Sequence, residues 1–235
     1  MRPVKHVRAV SFDVGGTLIG TSTAVGEIYA TVAADFGLKD LDAEWLDRQF
    51  LEVWKHKVDF DYSRANWFEL VRRTFGARSA DLPGEFFPAV FHRFGEPDVW
   101  RIHPDVLPVL DELAGKGIPM AVVSNWDDRL RPLLKRLGLA GYFETIIPSS
   151  EVAFHKPSPV VFEEVVRKLR IPPEQILHIG DHYIEDVEGA RGAGLQAVQL
   201  VRNGKGAAEY HISGLWEVPP LVDSSGDRLI EMRSL

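Results

Sequence analysis

Asp13 stands at the end of the apolar run "VRAVSFD" (7–13) and is followed by Val14, the glycine pair Gly15 and Gly16, and Thr17. An ionised carboxylate at the end of a buried strand is costly unless a metal ion or a cation accompanies it. A second apolar run, "ILHIGD" (176–181), ends on Asp181, and Asp186 follows one turn later at the expected start of a helix. No His or Cys stands in metal-ligand spacing with these acids. Carboxylates converging from distinct strand ends therefore favour a hard cation held by oxygen, Mg2+ first. Helix capping is the alternative reading of Asp181 and Asp186 taken singly.

Three further polar residues fall where such a site would need them. Ser124 and Asn125 follow the run "IPMAVVSN" (118–125) and precede a helix expected near Asp127. A hydroxyl beside the open N–H groups of a helix start suits an anion, and a ligand-free Ser-Asn turn is the alternative. Lys156, in "FHKPSP", lies after the third core strand. There it is either a solvated loop lysine or the counter-charge of a bound phosphate.

These residues need a scaffold that gathers strand ends. Five apolar runs read as parallel, doubly buried strands: 7–13, 118–125, 145–149, 176–181 and 196–201. Helical patterns alternate with the last four. One at 128–138 carries Leu130, Leu133, Leu134 and Leu137 before Gly138, and one at 159–170 opens with Ser158 as cap and Pro159 in the first turn. A helix at 104–116, stopped by Gly117, feeds the strand at 118. The alternation predicts an α/β fold, a Rossmann-like open parallel sheet whose ligands gather at the carboxyl ends of the strands.

Residues 21–99 interrupt the pattern with four helices bearing an aromatic stripe, among them Tyr29, Phe36, Trp45, Trp54, Trp67, Phe75, Phe86 and Phe91. Such a stripe predicts the core of an inserted helical bundle, with "FGEPD" (94–98) leading back. The expected division is therefore 1–20 and 99–235 for the sheet domain and 21–98 for the insertion. The C-terminal stretch after Val218 is broken by Pro219, Pro220 and Gly226 and predicts no long element.

Bulk properties narrow the function. A net charge of −7 without a basic block argues against a nucleic-acid partner. The chain has no apolar run long enough for a membrane span, no export signal and no cysteine. These features predict a cytoplasmic protein without a membrane partner, and exclude disulfides, thiolate metal sites and cysteine nucleophiles.

In this order and spacing, "FDVGGTL", "VVSN", "HKPSPVVF" and "HIGDHYIEDVEGARGAG" resemble the four motifs of the haloacid dehalogenase-like hydrolases. The helical insertion between the first two resembles the helical cap of that superfamily. The resemblance implies that Asp13 is a nucleophile forming an aspartyl-phosphate. It implies that Asp13, the Gly15 carbonyl, Asp181 and, directly or through water, Asp186 hold Mg2+, and that Thr17, Ser124, Asn125 and Lys156 bind the phosphoryl group of a small phosphorylated metabolite. Lys156 would also steady Asp13.

One position departs from the pattern. Phosphatases of the family carry a second aspartate two residues after the nucleophile, and Gly15 stands there. The resemblance assigns that acid to proton transfer, worth about 10²–10⁴ in rate. Three readings follow: a phosphohydrolase slow on poor leaving groups or using His182 or His56 instead, a phosphonatase-type enzyme drawing on Lys55 or Lys57, and a non-catalytic phosphate-binding or regulatory protein.

Overall fold

Each strand of a doubly buried sheet must satisfy its backbone by pairing, because nothing else reaches it. In the computed structural model, which describes residues 6–58, 60–204, 206–208 and 211–222, the strands are β1 (Ala9–Phe12), β2 (Ile19–Thr21), β3 (Trp100–Ile102), β4 (Met120–Ser124), β5 (Thr145–Pro148), β6 (Ile176–Gly180), β7 (Gln196–Leu200) and β8 (His211–Ile212). Six form one sheet in the order β5-β4-β1-β6-β7-β8, with every pair parallel. From β1 the chain winds outward through β4 to β5, then crosses back to β6 on the other side of β1. This is the doubly wound arrangement, and its crevice opens at the carboxyl ends of β1 and β6. The predicted α/β fold class and its five strands are all present. The sixth, β8, has only two residues and no apolar run to announce it.

The helices are α1 (Val25–Asp35), α2 (Ala43–Lys55), α3 (Arg64–Phe75), α4 (Phe86–Arg93), α5 (Val106–Gly115), α6 (Leu130–Arg136), α7 (Ser149–Val152), α8 (Pro159–Leu169), α9 (Gly189–Gly192) and α10 (Pro219–Val222). Two compact units result, one of residues 1–20 and 102–235 and one of Thr21–Arg101. The chain passes between them through β2 and β3, which pair as a separate two-stranded sheet. Residues 223–235, the end of the C-terminal stretch, lie outside the described residues.

In the sheet unit, α8 lays Val161, Phe162 and Val165 on a cluster that includes Ala9, Ala121, Val123, Ile147 and Ile176. In the helical unit, the aromatic stripe packs into the core, with Phe36, Trp45, Trp54 and Trp67 partly buried at its margin. Tyr29, Val32, Leu46, Val71, Phe75, Phe86 and Val90 form its main core. A second cluster joins Phe60, Tyr62 and Leu70 to Trp54 and Trp67, whose rings stack at 5.7 Å.

Two local expectations are corrected. The helix after β4 starts at Leu130, not near Asp127, because Asp127 closes a turn first: its Oδ1 accepts from Arg129 N at 3.0 Å and its carbonyl from Leu130 N at 3.2 Å. Ser158 makes no side-chain cap, and α8 begins on Pro159, whose missing N–H leaves one donor fewer to satisfy.

Gly189 offers a test of this packing. A Cβ there would lie 2.9 Å from both the Pro157 Cα and the Phe162 ring, closer than van der Waals contact. Alanine normally favours a helix over glycine by about 1 kcal/mol. Here the backbone obstacle reverses the sign, and Gly189→Ala is expected to destabilise by about 1–3 kcal/mol in urea titration. A stabilised mutant would contradict the tight seating of α9 on α8.

Candidate active site

The loop after β1 is wound tightly. Asp13 N donates to Ile179 O at 2.9 Å, extending the β1–β6 pairing by one residue. The Val14 carbonyl then accepts from Thr17, Leu18 and Ile19, and Gly16 N donates to Ile19 O at 2.8 Å. Gly16 has φ +78°, and a Cβ there would collide with the Asp181 carboxylate. Glycine is therefore required twice over, by conformation and by space. Gly15 has neither constraint: its φ is not left-handed, and an added Cβ would meet only Trp126 Cζ3 at an ordinary 3.5 Å.

The structure gathers Asp13, Ser124, Asn125, Lys156, Asp181 and Asp186 at the carboxyl ends of β1, β4 and β6. Lys156 is only 1% exposed. Its Nζ donates to Asp13 Oδ1 at 2.6 Å and to Asp186 Oδ1 at 2.5 Å. Ser124 Oγ donates to the same Asp13 oxygen at 2.9 Å, so Oδ2 is engaged by neither. Asn125 clamps the Lys156 main chain, accepting from its N–H at 2.7 Å and donating to its carbonyl at 3.0 Å. The same amide donates to Glu185 at 3.0 Å.

Asp186 does not cap a helix start. It lies inside a π-helical turn, Tyr183–Glu188, and the cap is His182, whose Nδ1 accepts from Glu185 N. The hydroxyl of Thr17 is fully buried with no partner among the described residues, while its carbonyl accepts from Arg202 Nη2 at 2.8 Å. Arg202 is itself held bidentate by Asp105, 2.9 Å on each arm. Of the other candidates, His182 engages its Nδ1 in that cap, His56 Nδ1 binds Glu52 O, and Lys57 Nζ lies 4.1 Å over the Trp54 ring.

Several site residues were not anticipated. His178 is fully buried on β6, with Nδ1 2.9 Å from Ser11 Oγ and Nε2 3.2 Å from Asp186 Oδ1. Their signal was present as two polar residues within otherwise apolar strands, Ser11 two positions before Asp13 and His178 two before Gly180. Glu185 and the Arg202–Asp105 pair carried no comparable sign.

The charges are strongly coupled. Burial opposes the charged form of Lys156, but the carboxylates of Asp13 and Asp186 outweigh it and raise its pKa. Burial opposes ionisation of Asp186 too, yet the Lys156 charge and the His178 hydrogen bond hold it below the usual carboxylate range. Asp13 is raised, by burial first and Asp186 second, against the pull of Lys156. Oxygens of Asp13, Asp181 and Asp186 lie within 4.8 Å of one another and could hold a metal ion. Three carboxylates against one ammonium leave two negative charges, which fit a divalent cation with oxygen ligands.

Asp181 is the acid of this cluster with the clearest pH signature. Crowding by protein, then the charges of Asp13 and Asp186, push its carboxyl up to about 7, although its outer face is exposed. A folded-state value above the unfolded one, about 3.9, means that the folded protein binds this proton more tightly. Stability therefore falls as pH rises from about 4 to about 7 in the metal-free protein. Asp181→Asn removes that penalty. Its expected Tm in chelator is about 2–4 °C higher at pH 8, roughly 1 kcal/mol after discounting for solvent screening, and unchanged at pH 4. Equal melting at pH 8 would contradict the assignment.

A profile of the haloacid dehalogenase-like hydrolases matches residues 7–194. The chain is 30% identical over 226 residues to the haloacid dehalogenase-like hydrolase domain-containing protein 3 of Danio rerio, covering 91% of this chain and 90% of that protein. It is 32% identical over 208 residues to a glyceraldehyde 3-phosphate phosphatase of Methanopyrus kandleri, covering 85% of each. The crystal structure of a HAD phosphatase from Thermococcus onnurineus superposes with a TM-score of 0.70 at 26% identity, over 92% of this chain and 98% of that one. The matched span contains all six gathered site residues on their parallel sheet, and the chain belongs to the haloacid dehalogenase-like hydrolases.

Proposed function

We propose that this hydrolase is a phosphohydrolase of a small phosphorylated metabolite, with Asp13 as nucleophile and Mg2+ as cofactor. The observation that carries the reading is the Asp13 carboxylate itself. Ser124 and Lys156 both bind Oδ1, which orients the group and leaves Oδ2 to attack phosphorus. The bond from phosphorus to the leaving oxygen then breaks, and water releases phosphate from the aspartyl-phosphate to regenerate Asp13. A phosphoryl group would replace Asp13 as the anion facing Lys156, whose buried ammonium stabilises the charge on its oxygens. Asp13, Asp181, Asp186 and the Gly15 carbonyl would hold Mg2+, which when bound neutralises further charge on that group. Asn125 serves the site by fixing Lys156, and Thr17 by completing the loop.

The glyceraldehyde 3-phosphate phosphatase of Methanopyrus kandleri supports the substrate class. The helical unit, Thr21–Arg101, is read as the cap that selects the substrate, through residues near 20–24 and 55–66.

Gly15 sets the character of the reaction. With no carboxylic acid at this position, the leaving oxygen takes its proton from solvent, so turnover depends on how well that group departs unassisted. It also favours a second reading, a protein that binds phosphate and Mg2+ without turnover. Hydrolysis of an activated aryl phosphate that is lost in Asp13→Asn supports the enzyme. Tight Mg2+-dependent binding of beryllofluoride with no turnover on a broad phosphate panel supports the binding protein.

At Gly15 the backbone is not left-handed and a Cβ would make only an ordinary contact with Trp126, so Gly15→Asp starts from an unstrained position. It is expected to raise turnover of alkyl phosphates by at least about tenfold, the lower end of general acid–base catalysis. An unchanged rate in a folded mutant would refute this account of Gly15.

A further inference from the structure

His178 is a buried, chemically capable group that the phosphohydrolase reading leaves without a task. Its surroundings define which nitrogen carries a proton. Asp186 is held ionised by Lys156 at 2.5 Å, and an ionised carboxylate only accepts hydrogen bonds. The Nε2 atom, 3.2 Å from Asp186 Oδ1, must therefore be a donor. A neutral imidazole has one donor and one acceptor. Nδ1 is then the acceptor, and the Ser11 hydroxyl, 2.9 Å away, donates to it.

The ring has little freedom to choose otherwise. It is fully buried, and the Phe162 ring meets it edge to face at 5.0 Å. Ser11 and His178 are register partners on the adjacent strands β1 and β6, so their side chains share one face of the sheet. Ser11 lies two residues before Asp13, and His178 two before Gly180. At Gly180 an added Cβ would fall on the Asp186 carboxyl, which means that this carboxyl packs directly on the β6 backbone. Its second oxygen, Oδ2, accepts from His182 N at 2.9 Å. Asp186 is thus held at both oxygens, from beneath by His178 and from the side by the chain.

We propose that His178 is a positioning residue for the cation site: its imidazole, locked by Ser11, keeps its proton on Nε2 and fixes Asp186 Oδ1 in place beside Lys156. Without this donor, Lys156 would be the remaining hydrogen-bond partner of Oδ1 among the described residues, and the lysine would be drawn from Asp13 toward Asp186. The inference rests on the reading above only in taking Asp186 as a cation ligand.

Two measurements test it. Calorimetric titration with Mg2+ alone should show about 10–100-fold weaker binding in His178→Phe, the usual cost of losing a partner that orients a ligand, and within about threefold of wild type in His178→Gln, which restores an amide N–H near Nε2. Long-range proton–nitrogen correlation spectra of the wild-type ring should place the proton on Nε2, with a mixture of tautomers in Ser11→Ala. If His178→Phe fails to fold, the Gln variant and the spectra carry the test. Wild-type affinity in His178→Phe, a tenfold or greater loss in the Gln variant, or a proton on Nδ1 overturns the inference. Absence of Mg2+ binding in the wild type overturns the cation reading instead, and the spectra then decide the role of His178 alone.

Discussion

The ammonium of Lys156, buried between Asp13 and Asp186, is the interaction on which the site depends. Taking an ammonium out of water costs several kcal/mol after relaxation, and only well-placed opposite charges with full hydrogen bonding offset it. Here all the required geometry comes from separate pieces of chain. Asp13 comes from the end of β1, Asp186 from the π-helical turn after β6, and Lys156 from the loop between α7 and α8. Asn125, after β4, holds the lysine backbone at both its N–H and its carbonyl. None of these contacts is local in sequence, so the pair can form only once the strands have assembled in their doubly wound order.

The same constraint explains which glycines the site needs. At Gly16 and Gly180 a side chain would strike Asp181 and Asp186 respectively, because the carboxylates are pressed against main chain rather than against other side chains. Close approach of this kind lets backbone N–H groups reach the acids, as His182 N reaches Asp186. Gly15, next to Gly16 in the chain, would bring a Cβ only into ordinary contact with Trp126 and has an unexceptional φ. Its lack of a side chain answers no packing demand, so chemistry is where its effect must be sought.

Much of this architecture was legible in the amino-acid order. The five apolar runs marked strands because burial on both faces leaves no room for alternation, and acids at their ends stood out against that background. The aromatic periodicity of residues 21–99 marked a bundle for the same reason. Less was visible where geometry depends on side chains alone. The start of α6 moved to Leu130 because the Asp127 carboxylate competes for the first N–H groups, which a hydrophobic period does not register. β8 escaped because two residues carry no period. His178 and Ser11 were hidden by their position inside apolar strands, where a polar residue is informative only once its partner across the sheet is known.

The stability of these residues separates what the fold needs from what a ligand needs. Lys156 is what the buried acids need most, since removing it leaves Asp13 and Asp186 as uncompensated buried charges, a loss of about 3–5 kcal/mol. The lysine is therefore explained by folding as well as by any ligand it serves. Asp13, also raised by burial, shares in part an effect that is clearest at Asp181. The Asp181 carboxyl is pushed up to about 7 by crowding and by two like charges, so in the metal-free protein its ionised form weakens the fold near neutral pH. A residue that opposes stability in this way points to a partner that compensates for it, and strain of this kind concentrates at functional sites. Asp181, exposed at its outer face and within 4.8 Å of the other two acids, is thus the residue that most directly points to a cation.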